Sequence, residues 1–73
     1  MFIQKIVANC YFAERAKAVK KAIELAKSLD TVVHLTVYRD LMIKKCEVVI
    51  SETTTERKAI RYIENKLTAF EKY

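Results

Sequence analysis

Apolar residues recur along the chain with two different periods, and the switches between them mark out five elements. Phe2-Ile3-Gln4-Lys5-Ile6-Val7-Ala8 is apolar and rich in β-branched residues with few polar interruptions, which predicts a first strand over 2–8. From Tyr11 to Leu29 the spacing becomes helical: Phe12, Ala16, Val19, Ile23 and Ala26 share one stripe, flanked by Ala22 and Leu29, with Asn9 placed to cap it. Thr31 to Tyr38 alternates Val33, Leu35 and Val37 against His34, Thr36 and Tyr38. Lys45 to Ser51 alternates Cys46, Val48 and Ile50 against Glu47 and Val49. Both are the period-two pattern of half-buried strands. Arg39 to Lys44 is too short for a crossover and long enough for a hairpin around Asp40, so these strands should pair antiparallel. Thr53 with Glu56 three residues on is a capping-box pattern, and it opens a second helical stripe of Ala59, Ile60, Ile63, Leu67 and Phe70.

The resulting order, β-α-β-β-α, predicts an α+β fold. It is a two-layer sandwich of a three-stranded mixed sheet with both helices on one face. The expected strand order is 1-3-2, with 1-2-3 as the alternative. Nothing along the sequence reads as a linker or repeat, so residues 1–73 are expected to form a single domain. In order 1-3-2 the end of the first strand lies near the start of the third, which would bring Cys10 within reach of Cys46. The competing expectation for these cysteines is two free, buried thiols.

Composition removes several function classes. The 73 residues include no Gly and no Pro, so phosphate-cradling Gly-rich loops and dinucleotide fingerprints are excluded. Two cysteines are too few for a secreted disulfide framework, and Met1 to Lys17 lacks the basic and apolar regions of a signal peptide, so a cytoplasmic location is expected. No apolar run reaches the ~20 residues that span a bilayer, and no membrane association is expected. Gln4, Asn9 and Asn65 are the only amide side chains in a Lys- and Glu-rich chain, a composition that leans toward a heat-adapted source.

Catalytic chemistry is equally thin. His34 is the only histidine, and the alternation places it on the solvent face while Cys46 faces the core, so no nucleophile–base pair forms. Two cysteines and one histidine on opposite faces do not make a zinc site. Asp30, Asp40, Glu47 and Glu52 sit at strand ends or on a strand edge, as turn formers rather than a paired acid and base. The expectation is a non-enzyme without cofactor or metal.

Charge carries more. Projected at about 100° per residue, the helices' outer sides hold Lys17, Lys20, Lys21, Lys27, Arg57, Lys58, Arg61 and Lys72 against Glu14, Glu24 and Glu64, and this layer accounts for the whole formal charge of +5. Such a surface suits phosphates, since each one neutralised releases counterions. The expectation is a small basic binding protein that contacts DNA or RNA through Lys17, Lys20, Lys21, Lys27, Arg57, Lys58 and Arg61. The alternative is a module or inhibitor that docks on an acidic protein partner. The helix-free sheet face, with Val7, Tyr38 and Val49 pointing outward, is expected to mediate a homodimer. A nucleic-acid platform there is disfavoured, because Lys45 to Ser51 offers neither Phe nor Tyr for stacking.

Overall fold

Residues 5–41 and 43–69 are described by the computed structural model of the chain. They form β1 (Ile6–Tyr11), α1 (Arg15–Leu29), β2 (Val33–Tyr38), β3 (Lys45–Ile50) and α2 (Glu56–Ala69), with one turn of 3-10 helix at Phe12–Glu14 between β1 and α1. Phe2 and Ile3 of the expected first strand, and Phe70 and Lys72 of the expected second helix, lie outside the described residues.

The α+β class and the element order are as expected, but the strand order is not 1-3-2. The sheet runs β1-β2-β3, with β1 parallel to β2 and β2 antiparallel to β3. The reason lies in which strand needs burial from both sides. On the helix-facing side of β2, Val33, Leu35 and Val37 are 0–1% exposed. The corresponding residues Ile6, Ala8 and Cys10 of β1, and Cys46 and Val48 of β3, are only partly buried, and Ile50 is the one inward residue of either outer strand that is fully covered. The strand with the largest uninterrupted inward set takes the centre, where neighbours on both sides complete its cover.

This order also settles the cysteines. Cys10 and Cys46 each pair with Val37, one from either side. Two strand spacings separate them, about 10 Å, against the roughly 7 Å limit for a disulfide. Both are free.

The boundary between β1 and α1 moves as well. Asn9 does not cap a helix: it is a strand residue paired with Thr36, and Tyr11 is the last residue of β1, paired with Tyr38. The alternation Ile6, Ala8, Cys10 against Val7, Asn9, Tyr11 continues unbroken, and a parallel neighbour strand supplies ladder bonds that a helical start could not. Ala16 and Leu29, expected on the buried stripe, are exposed. The core comes from Val19, Ala22, Ile23 and Ala26 of α1 and from Ala59, Ile63 and Leu67 of α2, packed on Val33, Leu35, Val37 and Ile50.

Without Gly or Pro, the turns are built by other means. Asp30 ends α1 in the left-handed region at φ 50°, where Gly is the usual occupant and a short polar side chain is the next best. Leu41 takes the same region at φ 44° in the β2–β3 hairpin, which is closed by the Arg39 N–H donating to the Lys44 carbonyl at 2.7 Å. Before α2 the chain uses hydroxyls. The Ser51 N–H donates to Thr54 Oγ1 at 2.8 Å, the Thr53 N–H to Ser51 Oγ at 3.3 Å, and the Lys58 N–H to Thr55 Oγ1 at 3.3 Å. Thr55, not Thr53, therefore caps α2. The run of three threonines offers a choice of caps, and Thr53 is consumed in the preceding turn.

Candidate nucleic-acid interface

The seven basic residues expected to contact nucleic acid all lie on the two helices and all are exposed: Lys17, Lys20, Lys21 and Lys27 on α1, Arg57, Lys58 and Arg61 on α2. Among the described residues none of the seven is in an ion pair. Long basic side chains on helix surfaces remain solvated unless an acid lies one turn away and in reach.

One acidic interruption of this layer is removed by packing. Arg15, at the start of α1, donates from Nε and Nη2 to Glu64 Oε2 of α2 at 3.1 and 2.7 Å, and the Glu64 side chain is 43% exposed. Glu64 thus serves the seam between the helices. The same pair fixes the relative level of the two antiparallel helices. At 1.5 Å per residue, Lys20 lies about 7.5 Å along α1 from this bridge, and Arg61 and Arg57 about 4.5 and 10.5 Å from it along α2, in the same direction. Helical spacing turns Lys27, Arg57 and Arg61 toward the flanks of the seam and Lys58 to the far side of α2, while Lys17, Lys20 and Lys21 together line a depression beside α1 that they share with Asn9, Glu14 and Glu24. Glu14 sits in the 3-10 turn rather than on α1, leaving Glu24 as the acid of the α1 surface.

The opposite, helix-free face is arranged differently from expectation. Register sets three rows across it: Val7–His34–Val49, Asn9–Thr36–Glu47 and Tyr11–Tyr38–Lys45. Val7 and Val49 are exposed, but they occupy opposite edge strands with His34 between them. Tyr38 lies four residues along β2 from His34, about 13 Å away at 3.3 Å per residue. The three residues expected at a dimer interface therefore do not meet in one apolar patch. The centre of the face is polar: His34 Nδ1 donates to Glu47 Oε1 at 3.1 Å. That hydrogen bond is the main reason the Glu47 carboxyl is held below the usual glutamate value, and the charges of Lys5 and Lys45 act in the same direction.

What the sequence reading missed is Tyr11. Assigned to the helix, it left the sheet without aromatic neighbours; as the last residue of β1 it stands directly beside Tyr38, with Lys45 next in the row. The signal was present in the continued outward alternation of Val7, Asn9 and Tyr11. Beside these rings is a recess of about 320 Å³ lined by Asn9, Cys10, Tyr11, Glu14 and Tyr38. A second depression, apolar and about 410 Å³, runs between α1 and the free edge of β1, with Ala8, Ala18, Ala22, Leu25, Val33 and Leu35 in its lining.

Burial pushes both thiols above the ordinary cysteine value, and for Cys10 the nearby Glu14 carboxylate adds to the effect. A raised thiol is a poor nucleophile at neutral pH. Among the described residues no group of three or more His, Cys, Asp or Glu is placed to hold a metal ion, and no helix is long and apolar enough to cross a membrane. No family model matches the chain, and neither the curated proteins nor the solved structures include a significant match.

Proposed function

We propose that this is a small, non-catalytic nucleic-acid-binding protein whose helical layer neutralises backbone phosphates. The observation that carries the reading is the set of seven exposed cations on α1 and α2, none of them in an ion pair among the described residues, with Glu64 withdrawn into its bridge to Arg15. Phosphates repeat along either nucleic acid, so a row of cations at successive levels engages several at once without reading sequence. Elements of secondary structure hold the row, which limits the ordering cost of binding.

The rival reading is a module for an acidic protein partner. Its support is the β2–β3 hairpin, where Leu41 and Ile43 are 83% and 80% exposed beside Lys44 and Lys45. One set of titrations separates the two. Wild-type protein should bind a duplex at low salt with an affinity that falls linearly in log salt, at about −0.9 per phosphate neutralised. Reversing Lys20, Lys21, Arg57 and Arg61 to Glu should abolish binding and leave the thermal midpoint nearly unchanged, because exposed charges contribute little to stability. No binding by the wild type at low salt would remove the nucleic-acid reading and leave the protein-partner one.

A further inference from the structure

The recess beside Tyr11 and Tyr38 lies where β1 runs into the 3-10 turn before α1, and it adjoins the depression lined by Lys17, Lys20 and Lys21, sharing Asn9, Cys10 and Glu14 with it. Its lining includes two tyrosines that end two adjacent parallel strands. The carboxyl ends of parallel strands are where open sheets commonly leave a crevice for ligands. Tyr11 is 55% exposed and Tyr38 partly so, which leaves ring surface available. The rim adds two polar side chains, Asn9 and Glu14, neither of which has a hydrogen bond or ion pair among the described residues. Lys45 completes the tyrosine row, and Lys5 acts with it on the Glu47 carboxyl, so both cations stand on this face. At about 320 Å³ the recess falls at the lower end of small-ligand pockets.

We infer that this recess takes one unpaired nucleobase of a single strand, stacked on Tyr11 and Tyr38 and selected for an exocyclic amino group by Glu14 and Asn9. Aromatic floors hold unpaired bases because every base has a flat face, and duplexes keep those faces covered. A carboxylate only accepts hydrogen bonds, so Glu14 receives the amino group of cytosine or adenine and repels the carbonyl that uracil presents at the same place. The Asn9 amide donates and accepts, and it pairs with the ring nitrogen beside that amino group. A neighbouring phosphate of the strand falls to Lys45, in the same row as the two tyrosines. The polar centre of the face, His34 with Glu47, is compatible with this wet ligand and unfavourable to an apolar one. The inference shares its ligand class with the helical reading but none of its residues.

The test uses fluorescently labelled hexanucleotides of cytidine and of uridine, with a duplex as control, followed by anisotropy at pH 7.5 and low salt. Wild type should prefer the cytidine strand by about fivefold or more. Glu14→Gln, which can donate as well as accept, should level the two. Tyr11→Ala and Tyr38→Ala should each weaken the cytidine strand about tenfold while duplex binding is unchanged. Tyr→Phe at either position keeps the flat ring and should retain binding, which separates stacking from any loss of fold. Equal affinity for the two strands in the wild type, or wild-type affinity in both alanine variants, overturns the inference. So does a dimer by sedimentation that Tyr38→Ala, on the central strand, disperses as well as Tyr11→Ala, which would make a second copy the occupant of the recess. The helical reading fails on the duplex arm alone, so the two failures are distinguishable.

Discussion

Four contacts converge on the guanidinium of Arg15: two hydrogen bonds to Glu64, one to the Phe12 carbonyl at 2.9 Å, and a position 4.0 Å over the Phe12 ring. Arg39 covers the same ring at 4.2 Å, so Phe12 is held between two cations where the 3-10 turn meets α1. Lysine keeps the charge of Arg15 and loses the fork that makes these contacts together. With side chains 26% and 43% exposed, the bridge is discounted for solvent, and Arg15→Lys should cost about 1 kcal/mol. In a domain of this size that lowers the thermal midpoint by roughly 4 to 8 °C, read by circular dichroism. An unchanged midpoint would show that the helices dock without the bridge. Glu47 offers a second check at this scale. Its pKa is depressed in the folded state, so the stability it contributes is present above the ordinary glutamate value of 4.5 and is lost as pH falls through the lower folded value. Carbon-detected titration should find the Glu47 midpoint below that value and find it raised in His34→Ala. An equal midpoint in both proteins would exclude the histidine hydrogen bond as the cause.

Between elements, the strand order makes the clearest commitment, and the two cysteines report on it. In order β1-β2-β3, Val37 stands between Cys10 and Cys46, so mild oxidation should leave both thiols free, counted by mass after alkylation of the unfolded chain. An intramolecular disulfide formed without loss of the fold would restore order 1-3-2. The case also shows what could be read from the sequence. Period-two alternation identified β2 and β3, and the stripes identified both helices, because burial on one face leaves a pattern in a single segment. Neighbour relations leave a weaker trace. A crossover from β1 to β2 permits either order, and the deciding feature was the comparison of inward sets: Val33, Leu35 and Val37 against the smaller Ala8 and Cys10 of β1 and Cys46 of β3. Boundaries failed where two signals competed. Tyr11 and Phe12 fit the start of a helical stripe, and only the pairing of Tyr11 with Tyr38 assigns the former to the sheet. The basic residues of the candidate interface were legible throughout, since exposed positions on a helix follow from spacing alone. The tyrosine recess was not, because it depends on register.

For the molecule as a whole, the open edge of β1 has the most consequence. Among the described residues nothing pairs with its outer side, and Ile6–Tyr11 contains no charge and no proline, whereas β3 carries Lys45 and Glu47 on the other edge. Unprotected, uncharged edges pair with further strands, and the apolar depression between α1 and β1 can receive the inward side chains of an added one. The simplest added strand is β1 of a second copy, running antiparallel across a two-fold axis. Such pairing would join the two sheets into one and set the helical layers side by side, doubling the cationic surface offered to a long polyanion. Sedimentation at micromolar concentration should then report twice the 8.5 kDa chain mass. Val7→Lys places a charge on the edge strand close to its symmetry mate and should shift the protein toward monomer, because like charges across a strand pair repel. Val49→Lys, on β3, should leave the dimer intact. The reverse ranking of these variants would move the contact to the β3 edge, and a folded wild type that stays monomeric at every concentration would mean that β1 is an edge without a partner strand.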